Sequence, residues 1–115
     1  MKNLSIHEKT ELLRQLAHPV RLQILEELIA GAKCVTDIQD LLEIPQPNVS
    51  QHLLVLRRNR IVDFYEDGQL RCYYLLRPSL AEELLRFLSC EYPTVERNCD
   101  EVRLEGRQRS ARVAS

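Results

Sequence analysis

Apolar residues recur with a helical period through the first half of the chain, change to an extended period near residue 61 and return to a helical one near residue 80. Leu12, Leu13 and Leu16 give one side of a first helix, opened by Ser5-Ile6-His7-Glu8 with the Ser-x-x-Glu form of a capping box. His18-Pro19 ends it, and Pro19 can take the first position of a second helix. Leu22, Leu25, Leu28 and Ile29 carry that helix to Gly31. Lys33-Cys34-Val35 reads as a short extended connection. Thr36-Asp37-Ile38-Gln39 reads as another capping box, opening a brief helix through Leu42.

The next stretch, from Pro45 to Arg58, organises the rest. Pro47 is predicted at the first helical position, where a missing N–H costs nothing. Val49, Leu53 and Leu56 form one apolar stripe, while Asn48, Ser50, Gln51 and His52 form a polar face without charge at neutral pH. Arg57 and Arg58 close the helix. Side chains that both donate and accept, ending in guanidinium groups, suit base edges and phosphates in a DNA major groove. An ordinary amphipathic surface helix has the same pattern, so the flanking chain must decide. A brief helix joined to this one by a short turn is a helix-turn-helix.

After Asn59, Ile61–Glu66 and Gln69–Leu75 are rich in β-branched and aromatic residues and flank Asp67-Gly68, which predicts a hairpin with a type I′ turn. A hairpin directly after a helix-turn-helix reads as a wing, with Arg71 its phosphate contact. Pro78-Ser79-Leu80-Ala81-Glu82 starts a last helix, again at Ser-x-x-Glu spacing. Its apolar face of Leu80, Leu84, Leu85, Phe87 and Leu88 is broader than one small domain needs, which predicts a dimer surface shared with the first helix. The expected architecture is mainly α with a β-hairpin wing, a winged helix-turn-helix in the order α-α-α-α-β-β-α. Residues 1–95 make the DNA-binding and dimerisation domain, and the polar stretch 96–115 reads as a flexible tail.

Composition adjusts this picture modestly. The 115 residues carry a net charge of −1 with a sequence pI near 6.3, which weakens non-specific attraction to DNA. The distribution matters more: Ile44 to Val62 contains no acid and holds Arg57, Arg58 and Arg60 together. No apolar run approaches the ~18 residues of a spanning helix, and no signal pattern opens the chain, so a cytoplasmic protein without a membrane partner is expected. No Ser/His/Asp or Cys/His arrangement, Gly-rich phosphate loop or carboxylate pair suggests an enzyme. The four cysteines, Cys34, Cys72, Cys90 and Cys99, show no C-x-x-C spacing. Reduced thiols are expected in the cytoplasm, without structural disulfides.

Three segments in order resemble the ArsR/SmtB family of small winged-helix repressors. Leu16-Ala17-His18-Pro19-Val20-Arg21-Leu22-Gln23-Ile24-Leu25 is similar to its L-x-x-P-x-R-L-x-I-L motif. Gln46-Pro47-Asn48-Val49-Ser50-Gln51-His52-Leu53, followed by Leu56-Arg57, is similar to its recognition helix, Q-x-x-V-S-x-H-L-x-x-L-R. Asp67-Gly68 with Tyr73-Tyr74 resembles its wing. The resemblance implies a homodimeric repressor of double-stranded DNA that binds an inverted-repeat operator and needs no cofactor to do so. By position, Gln46, Asn48, Ser50, Gln51 and His52 would face DNA, with Arg57, Arg58 and Arg71 on phosphates.

The signal is less defined. The family's arsenic and cadmium/lead sensors read Cys-Val-Cys-Asp-Leu where this chain reads Cys34-Val35-Thr36-Asp37-Ile38, so the second cysteine is lost. The histidine-containing zinc pattern of the last helix is absent as well, since no histidine follows His52. Three routes remain open. Cys34, Cys90 and Cys99 would offer three soft thiolates to As(III) or Sb(III) as inducer. Cys34, Asp37 and His7 of a partner subunit would suit a zinc-like ion. A disulfide or polysulfide link at Cys34 or Cys99 would make a redox or sulfide sensor. Cys72 reads as buried wing core.

Overall fold

In the computed structural model, which describes residues 2–114 with side chains through Ser110, Ser5 caps the first helix as its sequence asks. Its Oγ accepts from the Glu8 N–H at 3.1 Å, and a Glu8 carboxylate oxygen accepts in return from the Ser5 N–H at 3.1 Å. Helix α1 runs Ile6–Leu16 and α2 runs Pro19–Ile29. The cap of α2 is His18, whose Nδ1 accepts from the Val20 N–H at 3.1 Å. Strand β1, Lys33–Cys34, leads directly into α3, Val35–Leu42. Helix α3 therefore starts before the expected Thr36 cap: Cys34 is the capping residue, and no side chain accepts there. Glu43 then turns the chain with φ 56°, a left-handed conformation that ends a helix abruptly.

Helix α4 spans Gln46–Arg58, with Pro47 one position later than expected in its first turn. Strands β2, Val62–Asp67, and β3, Leu70–Leu75, follow, then α5, Pro78–Leu88, and α6, Cys99–Ala114. Two further readings need correction. The hairpin register pairs Asp67 with Leu70, so the central turn residues are Gly68 and Gln69, not Asp67 and Gly68. Only Gly68 of the two has positive φ, at 64°, which is the pattern of a type II′ turn rather than type I′. Helix α5 begins at Pro78 with Arg77 before it, leaving Ser79 inside the first turn without a capping bond.

The segment read as a connection, Lys33-Cys34, is a strand. It pairs antiparallel with β3, Lys33 opposite Tyr73 and Cys34 opposite Cys72, making a sheet of order β1-β3-β2. Alternation puts Val62, Phe64, Tyr73 and Leu75 on the face that joins the core, and Cys34 and Cys72 on the other. The core gathers Leu16, Ile24, Leu25, Leu28, Ile38, Val49, Leu53, Leu56, Ile61, Val62, Tyr73 and Ala81. It thus ties the helix-turn-helix of α3 and α4 to α2, to the wing and to α5. Beyond α5 every described residue is exposed apart from half-buried Glu105, and the stretch read as a flexible tail holds α6, with Ser115 outside the described residues.

Candidate nucleic-acid interface

Burial of Val49, Leu53 and Leu56 fixes the rotation of α4 and so decides which of its polar residues reach solvent. Gln46, Asn48, Gln51, Arg57 and Arg58 are exposed, and Ser50 is half-buried. Gln46 Nε2 donates to Ser50 Oγ at 2.7 Å, one turn apart, so these two side chains are held together. The side chains of Gln51 and Asn48 have no protein hydrogen bond among the described residues and stand ready for another partner.

His52 departs from the sequence reading. It does not join the exposed row but turns toward α1 and α2. Its Nδ1 accepts from Arg21 Nε at 3.2 Å, and its ring lies 4.2 Å from that of His18. Arg21 also donates from Nη1 to the Gln15 carbonyl at 2.9 Å. Two residues of the resemblance motifs, Arg21 and His52, thereby brace the interface-bearing helix against the end of α1. The physical reason is helical phase: His52 follows Val49 by three residues and precedes Leu56 by four, which places it at the edge of the buried stripe.

Burial, then the neighbouring His18 ring and Arg21 guanidinium, push the pKa of His52 below its ordinary value of 6.5. The folded protein consequently binds fewer protons at His52 than the unfolded chain does. Stability from this group is present above pH 6.5 and is lost as pH falls through the lowered pKa. Thermal unfolding should therefore show a falling melting temperature from pH 7 towards pH 5, before the carboxylates titrate. In His52→Gln, whose amide oxygen can still accept from Arg21, that slope should flatten. An unchanged slope would remove His52 as its source.

The other wall of the interface is the wing. Between it and α4 lies an open groove of about 530 Å³, whose walls include Thr36, Gln46, Ser50, Arg57, Gln69 and Arg71. The sequence reading gives Thr36 only as a helix cap and does not assign Gln69; Gln69 follows the turn glycine at the hairpin tip, which is the available signal. Arg57 and Arg71 both place their guanidinium carbons over the Phe64 ring, at 4.3 and 4.6 Å from its centroid. Such stacking holds a cation in place while leaving its N–H donors free at the edge. Arg57 Nε also donates to Asp63 at 3.1 Å. The Asp63 carboxyl is held below its ordinary pKa first by the Phe64 N–H it accepts, and also by Arg57. Arg57 therefore reaches the groove partly neutralised, whereas Arg71 has no acidic partner among the described residues. Arg58 and Arg60 are exposed around a second hollow of about 380 Å³ that Arg57 shares.

The cysteines are distributed differently from the expected ligand set. Cys34 is disulfide-bonded to Cys72, with Cα atoms 3.8 Å apart, because β1 and β3 place them opposite each other. Cys90 and Cys99 are free and exposed. Within one chain, Cys34, Cys90 and Cys99 do not converge, nor do Cys34, Asp37 and His7, and among the described residues no group of three or more His, Cys, Asp or Glu is placed to hold a metal ion. Buried Cys72 was anticipated; its bond to Cys34 was not, and it corrects the expectation of four reduced thiols without a disulfide.

Comparison with known proteins agrees with this geometry. The model of the family described as bacterial regulatory protein, arsR family, matches residues 18–63, from the cap of α2 into the wing. The transcriptional repressor PagR of Bacillus anthracis is 37% identical over 92 residues, spanning 75% of this chain and 86% of PagR. The chain belongs to the ArsR family. The HTH-type transcriptional repressor SmtB of Mycobacterium tuberculosis is 41% identical over 75 residues, 65% of this chain, which spans only 56% of SmtB. Among solved structures, Rv0081 of M. tuberculosis superposes with a TM-score of 0.66 at 28% identity, covering 96% of this chain and 99% of that one. The ArsR-family match runs through α2, α3 and α4, the segment that carries the exposed polar row.

Proposed function

We propose that this chain is a cytoplasmic, homodimeric DNA-binding repressor of transcription, released from an inverted-repeat operator when its thiols react with a thiophilic or oxidising inducer. The observation that carries the DNA reading is the uncharged exposed row of Gln46, Asn48 and Gln51 beside a groove edged by Arg57 and Arg71. Amide side chains pair bidentately with adenine in the major groove, and the arginines hold phosphates. The repressor names of PagR and SmtB support the same reading. A second copy would cover apolar residues that α1 and α5 leave exposed, among them Leu13, Phe87 and Leu88. Two-fold symmetry then sets the recognition helices about 34–36 Å apart, one helical turn of DNA.

Fluorescence anisotropy with DNA from the chain's own upstream region, under reductant, tests this reading. Saturable binding that discriminates against scrambled DNA is expected. No binding even at low salt would defeat it.

Phe64→Leu keeps apolar volume in the core but removes the π face under both arginines. Affinity should fall roughly two- to fivefold. The loss should be equal for operator and scrambled DNA, because phosphate contacts carry no sequence information. A loss confined to operator DNA would contradict the assignment of the two arginines.

For the signal, the arsenite or antimonite reading uses Cys34, Cys90 and Cys99 as three thiolates, and a dimer would have to bring them together. The thiol-oxidation reading is favoured by the adjacency of Cys34 and Cys72. Arsenite titration of the reduced protein separates them: three thiols consumed per arsenic supports the first, and no uptake supports the second.

A further inference from the structure

We infer that Cys34 and Cys72 form a reversible dithiol–disulfide site that couples the wing to the start of the helix-turn-helix, with a peroxide as the oxidant class. The inference rests on the repressor reading above and specifies its signal. Four observations place the site. The two residues are direct partners across β1 and β3 and are joined by a disulfide. They lie on the sheet face opposite the main core cluster, to which neither contributes, although Cys72 is itself buried. Cys34 is half-buried and caps α3, where helix N–H groups favour a thiolate and an oxidant can reach it. Cys72 is 3% exposed and sits behind it as a resolving thiol.

The step balances as follows. The Cys34 thiolate attacks one peroxide oxygen, the O–O bond breaks, and hydroxide leaves, giving Cys34 sulfenic acid. The Cys72 thiol then attacks the Cys34 sulfur, the S–O bond breaks and water leaves, giving the disulfide. Two thiols lose two electrons and two protons, and hydrogen peroxide becomes two waters. A cellular dithiol reverses the reaction by exchange, becoming a disulfide itself.

Bond formation is felt at the DNA face because the residues beside the cysteines line the groove. Val35 and Thr36 follow Cys34, Tyr73 follows Cys72, and all three wall the space that contains Gln46, Arg57 and Arg71. Drawing two sulfurs from van der Waals contact to a covalent bond shortens their separation by roughly 1.5 Å. That displacement acts directly between the residue that caps α3 and its partner on the wing strand, so the helix-to-wing spacing that fits DNA in the reduced state is altered in the oxidised one.

The test treats the full-length protein with hydrogen peroxide or with dithiothreitol, maps its disulfides by non-reducing peptide mass spectrometry, and measures operator affinity in each state. A Cys34–Cys72 bond is expected, with affinity lowered about 5- to 150-fold and restored by reductant. Cys34→Ser and Cys72→Val should each bind like the reduced protein and ignore peroxide, while the double variant Cys90→Ser/Cys99→Ser should respond fully. Should Cys72→Val fold poorly, Cys34→Ser decides alone, since serine suits its half-buried position. A response that survives Cys34→Ser, a bond formed between Cys90 and Cys99 instead, or equal binding in both redox states would overturn the switch. Absence of binding in both states would overturn the repressor reading itself, and the switch with it.

Discussion

Replacing Leu53 by alanine should cost about 2–5 kcal/mol of stability, the usual range for truncating a fully buried leucine. Leu53 has no exposed surface and sits mid-helix in α4, within the cluster that joins α2, α3, the wing and α5. Removing its side chain leaves a void against elements that cannot all collapse inward together, because the sheet and two helices are pinned to one another elsewhere. Denaturant unfolding at fixed protein concentration should show a lower midpoint with an unchanged slope. The neighbouring Leu54→Ala is the natural control: Leu54 is 43% exposed and lines the groove, so its stability should shift by less than about 0.5 kcal/mol. Equal losses in the two variants would mean that the rotation of α4 is wrong, and with it the identity of the exposed row.

That rotation shows how much of the interface could be read from sequence. Val49, Leu53 and Leu56 announced the buried stripe, and Gln46, Asn48, Gln51, Arg57 and Arg58 follow as the exposed remainder. Polarity alone does not separate His52 from that row: its phase lies at the edge of the stripe, and its partner, Arg21, is 31 residues away. The helices were legible because their period and caps are local signals. Strand β1 was not, since two residues carry no period and its existence depends on β3, beyond the whole helix-turn-helix. The cysteine pairing depended on that strand, so the ligand set built around Cys34 omitted the one cysteine beside it. The turn was shifted by one position for a related reason: Asp67-Gly68 is a strong local signal, but the strand register decides which residues occupy the turn, and it extends β2 through Asp67.

Replacing both Asn48 and Gln51 by alanine should abolish discrimination between the operator and unrelated DNA while leaving the fold intact. Both side chains are exposed, and no hydrogen bond within the described residues holds either one, so their removal disturbs no packing. Alanine is moreover the best helix former, and the melting temperature should be unchanged or slightly raised. Each bidentate contact with a base contributes about 1–3 kcal/mol of discrimination, so the pair accounts for roughly 30-fold to about 25,000-fold if the contacts add. Arg57, Arg58 and Arg71 remain, and with them the salt-dependent attraction to phosphates. The double variant should bind operator and scrambled DNA with the same weak affinity, and with the salt dependence of the parent. A uniform loss on both DNAs with a shallower salt slope would instead assign Asn48 and Gln51 to the backbone. Unaltered discrimination would move the reading surface off α4, towards the wing tip at Gln69.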